Sequence, residues 1–376
     1  MLRLPSNPCV LLLALVSSCA ASSSAPRKPE LHAAWQQYVH GYVQSDGRVV
    51  DQTLGAITTS EGQAYAMLRA VWVHDAKAFE ELRTWTRNNL QGGDADALPA
   101  WKWGQRDDGT WGVIDANPAS DADVLLAWAL MGAAHVFDEP RYLVQARALA
   151  DQIWATETLE LPGGRVLLPG PWAAAMDPVW INPSYFAPSA FRAFALLDRD
   201  HDWLSLVHSS YRVLSASLQP SGLPPDWCFL DRATGQVVPP PAGEEGRSTF
   251  GFEAMRIPWM LAADERWSSE PRAHQLLVRM DLLAERFVRD GRIPAVIAPD
   301  GKALVEWESR ALYGALLPDW AARHPDLLGK LRDRMDEIAV GPRPAAQQGR
   351  EYYAANWVWF GESLWSGLAQ PLVELP

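Results

Sequence analysis

A carboxylate stands at the predicted start of a helix in the segment 58–65, which reads Thr-Thr-Ser-Glu-Gly-Gln-Ala-Tyr. Ser60 is a favoured N-cap residue, and Gln63 three positions later completes the pattern of a capping box. An acid in the first turn of a helix is usually structural, because the helix dipole and the free N–H groups stabilise it there. Since Ser60 and Gln63 already supply partners for the backbone, we expect the side chain of Glu61 to be available for chemistry.

A second group of acids ends at another predicted helix start, in the segment 113–123, which reads Val-Ile-Asp-Ala-Asn-Pro-Ala-Ser-Asp-Ala-Asp. Asp115, Asp121 and Asp123 are more acids than a cap requires. Calcium loops need a glycine at the sixth position and a late glutamate, and the segment has neither. We therefore expect Asp121 or Asp123 to cap the helix and the other to be free for a substrate.

A third acid lies in the segment 250–259, where Glu253 and Arg256 fall three apart on one face of a predicted helix. A surface ion pair would also account for this spacing. If the pair belongs to a site, we expect Arg256 to keep Glu253 ionised.

Carboxylates of this kind suit glycoside hydrolysis, which needs one carboxyl group kept protonated as an acid and one ionised as a base or nucleophile. Burial in a tryptophan-rich, partly dry cleft would raise the pKa of the acid. Other chemistries lack their motifs, since the chain has no Gly-x-Ser-x-Gly elbow, no glycine-rich phosphate loop and no His-Glu-x-x-His. The sequence therefore implies no metal and no cofactor.

The chain has 19 tryptophans, and many of them fall outside helical core spacing. An indole ring stacks on the apolar face of a sugar ring, and its N–H can bond a hydroxyl group. The alternative is that loop tryptophans only anchor the loops to the fold, but for the set as a whole we favour sugar binding. The tryptophans in predicted loops are Trp101, Trp103, Trp111, Trp172, Trp180, Trp227 and Trp307.

The elements that must position these residues are helical. Hydrophobic periodicity predicts about twelve helices, among them 60–74, 121–137, 251–264 and 272–289, and short strand pieces at 165–168 and 236–238. Short connections alternate with long ones, which should gather function on one face if they lie at one end. Six helical hairpins closed in a ring would fit, and so would an α-solenoid, although no fixed repeat period is visible. The long connections are 91–118, 156–185, 219–249 and 290–307.

Composition and the N-terminus indicate an exported protein. The 376 residues carry a net charge of −12, which argues against a nucleic-acid partner. Residues 1–28 are typical of a leader, with Arg3 before an apolar run and small residues after it. The sequence around Cys19 resembles a lipobox, so lipid anchoring at Cys19 and plain cleavage are both open. We expect a periplasmic, outer-membrane-anchored or secreted protein whose residues 29–376 form one domain, with Cys228 as a buried apolar residue.

Several motifs resemble glycoside hydrolase family 8. The segment 119–123, continued through Ala127 and Ala133 to Phe137, matches the signature of that family, with Leu126 where Ile or Met is usual. Segment 59–63 resembles the acid-bearing segment of the family. Three further segments are similar to the endoglucanases of bacterial cellulose synthase operons, and the resemblance covers about 35–365. These segments are Trp101-Lys102-Trp103-Gly104, Asn182-Pro183-Ser184-Tyr185 and Pro225-Asp226-Trp227.

The resemblance implies an all-α (α/α)6 barrel and an inverting mechanism. Glu61 would be the general acid. Asp121 would bind sugar in the −1 subsite, although older descriptions of the family call this aspartate the nucleophile. Glu253 would be the general base at a position where the family usually has the shorter aspartate. The expected substrate contacts are Trp101, Trp103, Asp115, Tyr185, Trp227, Arg256 and Trp259.

These features together predict an endo-β-1,4-glucanase acting on cellulose or a similar glucan, with a link to a cellulose synthase complex. One alternative is another specificity in the same family, for chitosan, xylan or mixed-linkage glucan. The other is a glucan-binding protein that the altered base has deprived of turnover.

Overall fold

The computed structural model describes residues 24–340 and 351–373. Cys9, Cys19 and most of the predicted leader lie outside these residues, so export and lipidation stay predictions. Among the described residues, no helix has both the length and the apolar character that crossing a membrane requires. Cys228 is buried and unpaired, as expected.

Thirteen α-helices occur in the described residues, one more than predicted. The predicted helix 272–289 is broken at Met280 and Asp281, because the Met280 N–H turns back to Leu277 O and Asp281 pairs with Arg323. The helices are α1 Lys28–Tyr42, α2 Ser60–Trp72, α3 Ala76–Asn89, α4 Ser120–Val136, α5 Pro140–Thr156, α6 Pro188–Leu197, α7 Trp203–Ser217, α8 Ile257–Ser268, α9 Pro271–Arg279, α10 Leu282–Asp290, α11 Arg310–Arg323, α12 Leu328–Val340 and α13 Glu351–Ser366.

Helices α2, α4, α6, α8, α11 and α13 form an inner ring in which each packs against the next. Aromatic side chains close the ring between α2 and α13, where the Tyr65 ring lies 5.7 Å from Trp357 and 5.2 Å from Phe360. The remaining helices surround this ring and pair with the inner helices. The predicted (α/α)6 barrel is therefore confirmed.

The inner helices are buried on nearly every side, as expected for helices that are apolar all round. In α4 every residue from Ser120 to Ala133 is buried. Two glycines bring α11 and α13 into backbone contact, because a Cβ added at Gly361 would lie 1.8 Å from Gly314 O. One cluster of buried side chains extends from Leu31 to Leu372.

The long connections run from an outer helix to the N-terminus of the next inner helix, so they gather at one end of the barrel. Short strands arrange these connections into three antiparallel sheets. The sequence predicted only two short strand pieces in them. These strands are β1 Thr58–Thr59, β2 Lys102–Gln105, β3 Trp111–Asp115, β4 Thr158–Leu161, β5 Gly164–Leu167, β6 Val179–Ile181, β7 Cys228–Leu230 and β8 Val237–Val238.

Candidate active site

Glu61 and Asp121 lie in the first turns of the inner helices α2 and α4, at the end of the barrel where the long connections gather. The capping box predicted at Glu61 is wrong. Thr59 is the N-cap and accepts the Gly62 N–H at 3.0 Å, while Gln63 is buried and instead accepts the Val49 N–H at 2.6 Å. The outcome for Glu61 is unchanged, since its carboxylate takes no part in capping.

Arg256 is the centre of the site. Its Nη1 donates to Glu61 Oε1 at 2.6 Å and to Asp121 Oδ2 at 2.9 Å, and its Nη2 donates to Glu253 Oε2. Nη2 also donates to Ser184 Oγ at 2.7 Å. Only 3% of the Arg256 side chain is exposed, so the pair with Glu253 is not a surface ion pair. One buried guanidinium thus holds together three carboxylates that are widely separated in the sequence.

The three carboxylates differ in which oxygens remain available. Glu61 receives both of its hydrogen bonds, from Arg256 and from the Tyr65 hydroxyl at 2.7 Å, on Oε1, so Oε2 makes no bond to the described residues. Glu253 is bound through Oε2 alone, which leaves Oε1. Asp121 is engaged through both oxygens, because the Ala122 N–H donates to Oδ1 at 2.8 Å. Glu61 and Glu253 can therefore exchange a proton with a ligand, whereas Asp121 is suited to orienting one.

Burial sets the electrostatics of the site. Burial raises the pKa of Glu61 above its ordinary value, and the charge of Glu253 adds to this rise, while Arg256 and the Tyr65 hydrogen bond oppose it. Burial likewise raises the pKa of Asp121 to about 7, against the attraction of Arg256. A carboxyl group with a raised pKa keeps its proton closer to neutral pH, as a general acid must.

The backbone that carries Glu253 is a turn, which corrects the predicted helix 251–264. The helix α8 begins only at Ile257. Before it, Asp226 Oδ1 accepts the N–H groups of Gly251, Glu253 and Ala254 at 2.9, 3.1 and 2.8 Å. A Cβ at Gly251 would lie 2.5 Å from Asp226 Oδ2, so the turn also requires glycine there. Burial raises the pKa of Asp226 to about 7.

Several residues of the site were not among those predicted to act. Asn182 Nδ2 donates to Glu253 Oε2 at 3.1 Å and Asn182 Oδ1 accepts the Ser184 hydroxyl at 2.6 Å, so both residues support the Arg256–Glu253 pair. Tyr65 supports Glu61, and Asp226 supports the turn. The motifs 182–185 and 225–227 contain three of these residues. The sequence analysis singled out both motifs for their resemblance to the family but predicted no role for these three side chains.

The predicted sugar contacts Trp101, Trp103 and Asp115 adjoin Glu61 through the first sheet, in which Thr58 pairs with Trp103. The Trp103 ring stacks on Trp111 at 5.4 Å. Trp101 and Asp115 are partly exposed and hydrogen-bond through their side chains, which lowers the pKa of Asp115.

A second aromatic group adjoins Arg256. Tyr185 lies with its ring 5.1 Å from the guanidinium carbon of Arg256 and 6.4 Å from the ring of Trp227. Trp227 contacts Trp172 and Trp180, and 38% of Trp172 is exposed. The structure thus places partly exposed indole rings on both sheets that adjoin the acids.

Trp259 does not belong with these residues, which corrects its prediction as a sugar contact. It is 3% exposed, and its indole N–H donates to Phe360 O at 2.8 Å in the interior of the barrel. Trp259 follows Arg256 by three residues, but the helix α8 has begun by then and turns its side chain into the core.

Within the described ranges, one group of side chains has the geometry to hold a metal ion, and it lies away from this site. Asp151, Asp198 and His201 approach one another at the C-terminal end of α6, opposite the site. Asp198 already accepts hydrogen bonds from the Trp203 indole at 2.8 Å and pairs with Arg147 at 3.1 Å. This group is therefore a structural ion-pair network.

Comparisons with known proteins agree with this geometry. The sequence model of the family described as glycosyl hydrolases family 8 matches residues 2–298. An endoglucanase of Escherichia coli (strain K12) is 37% identical over 276 residues, 72% of each chain. One from Xanthomonas axonopodis pv. citri (strain 306) is 33% identical over 355 residues, 91% of this chain and 88% of that one. The crystal structure of an endo-1,4-D-glucanase from Vibrio fischeri ES114 superposes with a TM-score of 0.78 at 29% identity, covering 88% of this chain and 94% of that chain.

Proposed function

The chain belongs to glycosyl hydrolase family 8, and from this premise we propose that it hydrolyses internal β-1,4 linkages of a glucan such as cellulose, with inversion at the anomeric carbon. The observation that carries the proposal is the set of Glu61, Asp121 and Glu253 on the single buried Arg256. Glu61 and Glu253 each keep one oxygen without a protein partner among the described residues, as an acid and a base require.

Each carboxyl group takes one role in this mechanism. Glu61 protonates the glycosidic oxygen through Oε2 as the bond to the anomeric carbon breaks. Glu253 Oε1 removes a proton from the water that attacks the opposite face of the sugar ring. Asp121 accepts a hydroxyl of the sugar in the −1 subsite and supports distortion of the ring. The role of Asp121 as a nucleophile is disfavoured, because both of its oxygens are engaged.

Glu253 stands where the family usually has aspartate, and three residues hold it in place. Asp226 fixes the turn that carries it, and Asn182 and Arg256 both donate to Oε2. Oε1 therefore remains for the water, which supports Glu253 as the base.

The decisive experiment measures reducing ends released from carboxymethylcellulose by the intact chain and by Glu61→Gln. Loss of release in Glu61→Gln supports the proposal. No release by the intact chain would favour a glucan-binding protein, which binding to insoluble cellulose would then test. Proton NMR of the first product should show the α-anomer, and the β-anomer would contradict inversion.

The same assay separates the alternative substrates of the family. We expect turnover of carboxymethylcellulose to exceed that of chitosan, xylan and mixed-linkage β-glucan. The aromatic residues Trp101, Trp103, Tyr185 and Trp227 and the carboxylate of Asp115 support a glucan chain in the groove, since stacking serves a neutral sugar. Higher turnover of one of the other three polymers would identify that polymer as the substrate and would leave the proposed mechanism unchanged.

We also propose that the protein acts outside the cytoplasm, beside a cellulose synthase complex, with residues 29–376 as one catalytic domain. The leader-like residues 1–28 support export, either with a lipid anchor on Cys19 or with plain cleavage of the leader. Mass spectrometry of the mature N-terminus distinguishes a lipidated Cys19 from a cleaved leader.

A further inference from the structure

Two buried carboxyl groups lie behind the active site. Asp123 is in the first turn of α4, two residues after Asp121, and Glu157 follows the last residue of α5. Both are 0% exposed, and their carboxyl groups lie close enough to act on each other directly. The hydrolysis proposed above uses neither of them.

The pair lacks a cation. None of the four carboxyl oxygens has a donor in hydrogen-bond geometry among the described residues, although the amide of Ala119 lies near Asp123. Among the described residues, the other titratable group that acts most on the pair is Asp121, which is itself an acid.

The cations on neighbouring elements are committed elsewhere. Helices α2, α5 and α6 pack against α4, and β5 lies across from the residue that follows Glu157. The arginines on these elements bind other partners: Arg69 binds Asn356, Arg141 binds Glu80, Arg147 binds Asp198, Arg192 binds Asp264 and Arg165 binds Thr158.

Two ionised carboxylates cannot remain side by side without water or a cation, because burial and mutual repulsion both oppose the charge. A proton on each group removes both penalties and supplies the missing hydrogen-bond donors. We propose that Asp123 and Glu157 are both protonated and hydrogen-bond to each other as a neutral pair of carboxylic acids, and that this pair positions the first turn of α4 so that Asp121 meets Arg256.

The electrostatics support this arrangement. Burial raises the pKa of Glu157 to about 8 and that of Asp123 well above its ordinary range. Both carboxyl groups therefore keep their protons at neutral pH. Asp123 and Glu157 are positioning residues in this scheme, because they act on the substrate only through Asp121, and this role rests on the proposed hydrolysis.

The direct test is spectroscopic and needs no substrate. Infrared difference spectra between the parent and the double variant Asp123→Asn/Glu157→Gln, taken near neutral pH, should contain the carbonyl band of a protonated carboxylic acid. The band should weaken in the parent as the pH rises through about 8, where Glu157 loses its proton. If the parent shows no such band near neutral pH, the protonated pair is refuted, whatever the enzyme hydrolyses.

The positioning role is tested by kinetics on carboxymethylcellulose. The double amide variant retains a hydrogen bond between the two side chains and should keep kcat within a few-fold of the parent. Asp123→Ala leaves Glu157 buried alone, and we expect it to lower kcat far more than it raises KM. Equal kcat in Asp123→Ala and the parent would overturn the positioning role. The matched control is Glu160→Gln, whose side chain is 65% exposed on the next strand and should change neither constant.

Stability against pH gives a third measurement, which also applies if Asp123→Ala fails to fold. The folded pair binds protons that the unfolded chain releases at lower pH. The parent should therefore lose stability as pH rises from the ordinary carboxyl pKa to about 8. The double amide variant should show a smaller fall in the thermal midpoint over this range. An identical fall in both proteins would contradict a protonated pair.

Discussion

Two groups of carboxyl groups meet at the start of α4, and their negative charge is compensated in different ways. Asp121 joins Glu61 and Glu253 on Arg256, whereas Asp123, two residues later, faces only Glu157. In the first group the guanidinium of Arg256 opposes the rise that burial causes in the pKa of Glu61 and Asp121. In the second group no cation of the described residues opposes that rise, and protons remove the charge instead. Identical residue types therefore acquire different electrostatics from their neighbours alone.

The largest expected effect comes from removing the cation that distinguishes the two groups. Arg256→Met leaves three carboxyl groups without their cation, and breaking a buried ion pair typically costs about 3–5 kcal/mol. We expect loss of hydrolysis and a lower free energy of unfolding near neutral pH. The deficit should shrink on acidification as the carboxyl groups take up protons. Urea titrations at several pH values test this, with the half-exposed Arg292→Met as the control that should change little.

Replacing the carboxylate of Glu253 by an amide tests whether this residue is the general base. Glu253→Gln should lower kcat by roughly 10²–10⁴-fold, the range for a general base, while the bond from Arg256 to the side-chain oxygen can persist. Glu253→Asp should fall between the parent and Glu253→Gln, because the shorter side chain draws back from the water. Single-turnover rates on cello-oligosaccharides measure both variants. A Glu253→Gln enzyme as fast as the parent would show that another group is the base.

The support behind the base should matter less than the base itself. Asp226→Asn keeps an acceptor for the N–H groups of Gly251, Glu253 and Ala254 but removes its charge. Charge-assisted bonds contribute about 1.5–3 kcal/mol, so we expect a moderate fall in stability and in kcat with KM little changed. Thermal unfolding and steady-state kinetics check this. An unchanged kcat would mean that Glu253 holds its position without the turn.

A smaller effect is expected from the hydrogen bond that tunes the acid. The Tyr65 hydroxyl donates to the ionised form of Glu61 and so lowers its pKa. Tyr65→Phe should raise the pKa of Glu61, which then stays protonated to higher pH. The alkaline limb of kcat/KM should therefore move upwards, by at most about one pH unit for a bond of this strength. A downward movement would contradict the assignment of Glu61 as the acid.

The smallest expected effects distinguish a tryptophan of the groove from a tryptophan in the core of the barrel. Trp111 is 46% exposed and stacks on Trp103, so Trp111→Ala should raise KM several-fold by losing a contact of about 0.5–1.5 kcal/mol. Trp259→Phe removes a buried hydrogen bond and should lower the thermal midpoint while leaving KM unchanged. If instead Trp259→Phe raised KM and Trp111→Ala lowered only the thermal midpoint, Trp259 would be a sugar contact and Trp111 would lie outside the groove.

Local signals in the sequence predicted most of the fold correctly. The helix near 60 begins at Ser60, and the helix near 121 begins at Ser120, because periodicity depends on neighbouring residues. The predicted caps were wrong in both helices, since Thr59 caps the first, and the N-cap of the second is Ala119 rather than Asp121 or Asp123. The prediction failed where a distant residue competed for the backbone. The turn before α8 exists because Asp226, 25 residues before Gly251, takes the N–H groups that a helix would use.

The sequence by itself determined the helical hairpins, the family and the acids at the helix starts, because each of these depends on residue types at short spacing. Only the tertiary structure decided which acids share Arg256, which acid pair is buried without a cation and which tryptophan enters the core. The reason is physical: the state of a buried carboxyl group depends on the groups around it. At this site those groups come from the first turns of the inner helices α2 and α4 and from the connections that precede α6 and α8.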